Sequence, residues 1–285
     1  MLHARYDRMN RLSGVAAVLL VMLIPACKPV PRAPPDPYKV CGQSVERGVD
    51  GRLEICGRLT AQMTEAAIRE LKPEDSEVLM TSGGGFATPA IALVKALNDH
   101  RITVRVRDFC LSACSTYVLL AAHRIVIEPG AVVAFHHTGA FALEAFAYRS
   151  GLPVTATVLQ PARDERVFFT EQGLDPALLD RIAMAIEPRC FGLRRTEQGR
   201  ERYLNSDWAW FVPSRSEAET MFRGRMVGYW PSSAAEAQQA LRALVEDDDL
   251  RVKYGALPAA TAPSVVAATL PTCQGSLPEW SVGSH

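Results

Sequence analysis

The feature that most constrains this chain is the alternation, between residues 77 and 137, of short apolar runs with segments of helical period. "SEVLMTS" reads as a buried strand, and "FATPAIALVKALNDH" follows it with Ile91, Val94 and Leu97 on one helical stripe. "ITVRVR" alternates as a strand, "SACSTYVLLAA" is helical, and "RIVIEP" and "AVVAFHH" supply further strands. Strands separated by helices need crossover connections, so the expected class is α/β with a largely parallel sheet. At 285 residues and 48% hydrophobic content, the chain can bury one substantial core. A single domain with tails is expected rather than two full domains.

The flanks carry weaker signals. Cys41 and Cys56 bracket a stretch whose "VDG" marks a turn between two strand-like runs, so a hairpin with a Cys41–Cys56 disulfide is predicted. Thr60 can cap "AQMTEAAIRELK". Beyond His137 the periodicity fades. It returns in "DPALLDRIAMAI", where Asp175 is the expected N-cap and Leu178, Ile182 and Ile186 share a face. "SEAETMFRGRMVGYW" reads as helix, glycine turn and strand, and "SAAEAQQALRALVEDDDLRVKY" as a further helical stretch. From "GALPAATAPSVVAATLP" onward, small residues and prolines predict a loosely ordered tail.

The N-terminus reads as an export signal. Arg5, Arg8 and Arg11 precede "VAAVLLVMLIPA", a run too short to span a bilayer comfortably. "LIPAC" resembles a bacterial lipobox, which implies cleavage before Cys27 and lipidation of that cysteine. Lys28, standing where an aspartate would suggest inner-membrane retention, favours a periplasm-facing outer-membrane anchor. "KPVPRAPPDPYK" then holds five prolines in twelve residues and predicts an extended tether. Six cysteines remain, an even number that suggests disulfides in an oxidising compartment. If Cys110 and Cys114 join or stay reduced, Cys190–Cys273 is the expected distant pair. With 31 basic and 31 acidic residues and no dense Lys/Arg stripe, nucleic acid is not an expected partner.

Candidate chemistry sits at the strand ends. The glycines of "TSGGG" close a strand and precede a helix, where a tight turn can offer backbone N–H groups to an anionic oxygen. The loop fits neither the dinucleotide fingerprint nor a Walker A motif. A strand–helix–strand unit then brings "CLSAC" to the same end of a parallel sheet. Ser112 is followed 24 positions later by His136, and His137 would face the opposite way on a strand. Ser112 as a plain N-cap is the competing structural reading. Ser115 and His123 read as structural, and a C-x3-C pair with no adjacent histidine is a weak metal signal, so neither metal nor cofactor is expected.

These parts together resemble the Clp protease proteolytic subunit and its periplasmic relatives. "SGGG" looks like that family's Ser-Pro-Gly-Gly loop, "LSACSTYVLLAA" like its nucleophile helix, and "EPGAVVAFHH" like its Pro-to-His segment. The match is close over 77 to 137 and loose over 207 to 228; it departs in Gly83, which replaces the proline, and in the cysteines around the serine. The resemblance implies a Clp protease/crotonase-like fold of repeated strand-strand-helix units over 40 to 230. It leaves 1 to 26 as signal, 27 to 39 as tether and 231 to 285 as a helical segment with its tail. It further implies Ser112 as nucleophile, His136 as general base, and oxyanion donors on Gly85 and Ala113. Asp207 is the nearest third member, with Asn205 as fallback. The implied activity is hydrolysis of a peptide or other acyl bond, with a homo-oligomer left open. An inactive binding scaffold and an acyl-CoA enzyme of the crotonase type are the alternative classes.

Overall fold

In the computed structural model, which describes residues 42–153, 155, 157–196, 199–245 and 249–276, the chain opens with the expected hairpin. Strands β1 (Ser44–Arg47) and β2 (Leu53–Cys56) pair antiparallel across a turn in which the Gly48 N–H donates to the Arg52 carbonyl. Cys56 is disulfide-bonded. Cys41, Cys27 and the stretches expected to be signal and tether lie outside the described residues.

Helix α1 (Ala61–Glu70) starts where Thr60 accepts from the Met63 N–H, and it turns Met63 and Ala67 inward. Strand β3 (Glu77–Ser82) is buried from Val78 onward, as a central strand covered on both faces must be. Helix α2 (Ala87–Asp99) buries Ala90, Leu93, Val94 and Leu97. Strand β4 (Thr103–Leu111) is the longest of the sheet. Its first half pairs with β5 (Arg124–Ile127) and its last three residues with β6 (Val132–Ala134). A π-helical segment (Cys114–Leu119) lies between β4 and β5.

The second half of the chain adds helices α3 (Gly139–Arg149), α4 (Gln160–Glu171) and α5 (Ala177–Ala185), then a long hairpin of β7 (Pro188–Thr196) and β8 (Gly199–Ser206). Strand β9 (Trp210–Pro213), helix α6 (Arg215–Met221), strand β10 (Met226–Gly228), helix α7 (Ala234–Val245), strand β11 (Val252–Gly255) and helix α8 (Pro263–Thr269) complete it. The main sheet runs β1-β2-β3-β4-β5-β10 with β6 on the far end of β4, and every pairing except β1–β2 is parallel. This is the expected class, α/β with a mostly parallel central sheet. Strands β9 and β11 form a small parallel pair beside it.

Four expectations are corrected. The stretch beyond His137 is helical, in α3 and α4, although its apolar residues show no clean stripe. "RVKY" is not helical but largely strand β11, held by its ladder to β9. The expected loose tail contains α8, which buries Val266 and Ala267. Arg149 of α3 donates to the Leu270 carbonyl and to Thr272 Oγ1, both at 2.7 Å, and the Cys190–Cys273 disulfide ties the following segment to β7. Composition could not show this, because the order comes from a cross-link and a guanidinium supplied by distant parts of the chain. Asp175 caps α5 from one residue further out than expected, accepting from the Ala177 N–H at 2.9 Å while Pro176 occupies the cap position.

Candidate active site

Strand β4 ends between β3 and β6, and at that point the chain turns sharply. Ser112 has φ +56, a left-handed conformation that costs a non-glycine residue roughly 1–2 kcal/mol. The turn is held from several sides. The Ser112 N–H donates to the Ala134 carbonyl (3.1 Å), its carbonyl accepts from the Thr116 N–H (2.9 Å), and Cys110 and Cys114 close a disulfide across it. Ser115 Oγ donates to the carbonyls of Ser112 and Ala134, the structural use expected of it. Strain retained under this much bracing points to a residue placed for use.

Ser112 is therefore not a side-chain N-cap. Its Oγ lies 2.5 Å from His136 Nε2. His136 follows β6 and is fixed by the neighbouring residue: Phe135 and Phe211 of β9 exchange backbone hydrogen bonds at 2.7 and 2.8 Å. The imidazole meets Trp210 edge-on at 5.1 Å between ring centroids, and His137 at 4.7 Å. Burial above all, then His137, pushes His136 down to about 3, although a hydrogen bond to the His137 backbone pulls the other way. Burial also lowers His137. Both rings are thus neutral at neutral pH, the state in which an imidazole can accept a proton.

The glycine loop meets the serine turn directly. A Cβ on Gly84 would stand 2.5 Å from Ser112 Cβ and 2.8 Å from the Ala113 nitrogen, and Gly84 itself has φ +95. Leu59 pairs with Gly85 in a parallel bridge, its N–H donating to the Gly84 carbonyl and its carbonyl accepting from the Phe86 N–H. In such a bridge the central residue's own N–H faces away from the partner. The Gly85 N–H therefore points away from Leu59, and it meets no protein acceptor among the described residues; neither does that of Ala113 at the start of its helix. Gly85, Ser112, Ala113 and His136 line one open cleft of about 420 Å³ together with Phe86, Tyr117, Leu143 and Glu165.

The third expected member is placed differently. Asp207 and Asn205 share a second cavity of about 440 Å³ with His136 and His137, on the side of the β7–β8 hairpin. The Asp207 carboxylate is paired with Arg189, which holds it below the usual carboxylate range, and no hydrogen bond joins it to His136 among the described residues. Asn205 is exposed. His123 is exposed at the end of the serine helix, 3.4 Å from Arg101. The structure thus brings together Ser112, His136, Gly85 and Ala113, and leaves Asp207 turned to another partner.

Sequence reasoning missed Gly84, Trp210, Tyr117 and Glu165. The three consecutive glycines were a signal for the first. Nothing in the sequence marks Glu165, a lone acid on a helix. A scan against protein-family models and a search of curated proteins found no match to this chain.

Proposed function

We propose that the protein is an exported serine hydrolase of Clp protease/crotonase-like fold, cutting a peptide or other acyl bond through an acyl-enzyme. The contact of Ser112 Oγ with the neutral His136 carries this reading. His136 Nε2 takes the Ser112 proton as Oγ bonds the carbonyl carbon, and the oxyanion that forms is stabilised by the N–H groups of Gly85 and Ala113. Collapse breaks the bond to the leaving group, which receives the proton from His136. A water activated by the same imidazole then releases the acid and restores Ser112. The parallel sheet with its serine turn between β3 and β6 supports the fold assignment. An anchor at lipidated Cys27 and an envelope location remain part of the proposal.

The pairing of Asp207 with Arg189 favours a second reading, a binding protein that keeps the fold without turnover. An imidazole pushed to about 3 is a weak base at neutral pH, because little driving force remains for proton transfer. The experiment that separates the two is reaction with a fluorophosphonate probe. Ser112 is expected to be labelled, Ser112→Ala and His136→Ala to lose labelling by at least about 10³-fold, and His137→Ala to keep most of it. Absence of labelling in folded protein between pH 6 and 9 would favour the scaffold.

A further inference from the structure

The cleft beside Ser112 has an acidic floor that the acyl chemistry does not use. Glu165 of α4 is 5% exposed and lines the cleft. One of its oxygens is occupied: Oε2 accepts from Tyr117 Oη at 2.5 Å and from the Ala140 N–H at the start of α3 at 2.8 Å. The other, Oε1, accepts no hydrogen bond among the described residues. It lies against Gly139, where a Cβ would stand 2.8 Å away, so the missing side chain keeps the space in front of it open.

No lysine, arginine or histidine forms an ion pair with Glu165 among the described residues. The adjacent Arg166 is turned to Glu144 and Asp180 instead, at 2.5 and 2.7 Å. Burial pushes the Glu165 carboxyl above the usual carboxylate range, although Tyr117, the Ala140 N–H and the charge of Arg166 pull the other way, so a cation brought to Oε1 would favour its ionised form. Around the acid the cleft is mostly apolar, with Phe86, Ala142, Leu143 and Pro161 among its walls. Ser112, Tyr117 and Glu165 all line this cleft, and Tyr117 donates to the Glu165 carboxylate, so the acid and the nucleophile open onto the same space.

We propose that Glu165 is the specificity residue of this cleft: its free Oε1 receives an ammonium or guanidinium head carried on an apolar stem. Resting on the hydrolase reading, this makes the substrate an acyl compound with a lysine- or arginine-like side chain on the residue whose carbonyl Ser112 attacks. The aliphatic stem packs on the apolar walls, and the cation supplies the missing partner of the buried carboxylate through a charge-assisted hydrogen bond.

Peptidyl diphenyl phosphonates bearing a lysine or a norleucine side chain test this, because the two differ only in the cationic head. The rate of Ser112 adduct formation, followed by intact mass, is expected to be about tenfold or more higher for the lysine compound. In Glu165→Gln, which keeps the acceptor for Tyr117 and Ala140, the ratio should fall towards one. Gly139→Ala, which crowds Oε1, should lower it as well. A wild-type ratio near one, or a ratio unchanged in Glu165→Gln, overturns the proposal. Calorimetry of Nα-acetyl-lysinamide and Nα-acetyl-norleucinamide on Ser112→Ala protein reads the same subsite without turnover. Tighter binding of lysinamide with no labelling of Ser112 by any phosphonate would sink the hydrolase and leave the subsite standing. Labelling by a plain fluorophosphonate with no lysine preference in either measurement would sink the subsite alone.

Discussion

The two sides of His136 are built differently. On the serine side, position is set by backbone and covalent structure: Ser112 is held by the Ala134 carbonyl and a disulfide, Gly84 abuts its Cβ, and Gly85 is shaped by Leu59. On the hairpin side, the group that could orient the imidazole is a carboxylate held by Arg189, whose side chain is 63% exposed. An exposed ion pair of this kind is screened by water and salt and holds its geometry only weakly. The nucleophile half of the site is thus assembled in advance, whereas the orienting half rests on a contact that a bound substrate or a small rearrangement can replace.

The largest effect should come from the rigid side. In Gly84→Ala the methyl group meets Ser112 Cβ and the Ala113 nitrogen, and neither can retreat without disturbing the serine turn. Fluorophosphonate labelling is expected to fall by about 10²-fold or more, and stability by about 2 kcal/mol, since the substitution also forces a left-handed backbone on alanine. A labelling rate within threefold of wild type, measured beside the urea midpoint, would show that the turn is not set by this contact.

An intermediate effect is expected with pH. Both histidines are pushed below their ordinary range, His136 to about 3, so the unfolded chain binds protons near pH 6.5 that the folded one does not. Stability present above that pH should decline as acid is added, with His136 contributing a slope of up to about 1.4 kcal/mol per pH unit between roughly pH 6 and 4. His136→Asn should flatten this part of the denaturation profile. Labelling of the wild type should show no inflection near 6.5. An inflection near 7 would mean that a carboxylate does reach His136 in the reacting protein, and the contrast between the two sides would then be confined to the free state.

The smallest effect should be that of Asp207→Asn. Because its carboxylate is turned to Arg189, its loss should slow labelling by less than about threefold, well below the loss expected when a carboxylate already orients the imidazole. A decline comparable to that of His136→Ala would place Asp207 in the mechanism after all.

Much of the serine side was legible in the sequence. Its strands and helices are short, regular and consecutive, so period and order are enough to bring "TSGGG", "CLSAC" and "AFHH" to one end of the sheet. The choice of His136 over His137 followed from the family spacing alone: β6 ends at Ala134, before either histidine, and both line the cleft, so strand alternation does not separate them. The hairpin side was not legible. The β7–β8 ladder carries no clean alternation, and Asp207 is one of many acids until Arg189 is found across the ladder.

What the sequence by itself determined is therefore what depends on neighbours along the chain: the α/β class, the Thr60 cap, the glycine turn and the order of the nucleophile elements. Tertiary structure alone decided which groups from distant segments face each other. It set Glu165 of α4 under the cleft of a serine some fifty residues earlier, turned Asp207 towards Arg189, and ordered α8 through Arg149 and Cys190. The physical reason is that a helix or turn is selected by local backbone energetics, whereas the partner of a side chain is selected by whatever the completed packing brings within a few ångströms.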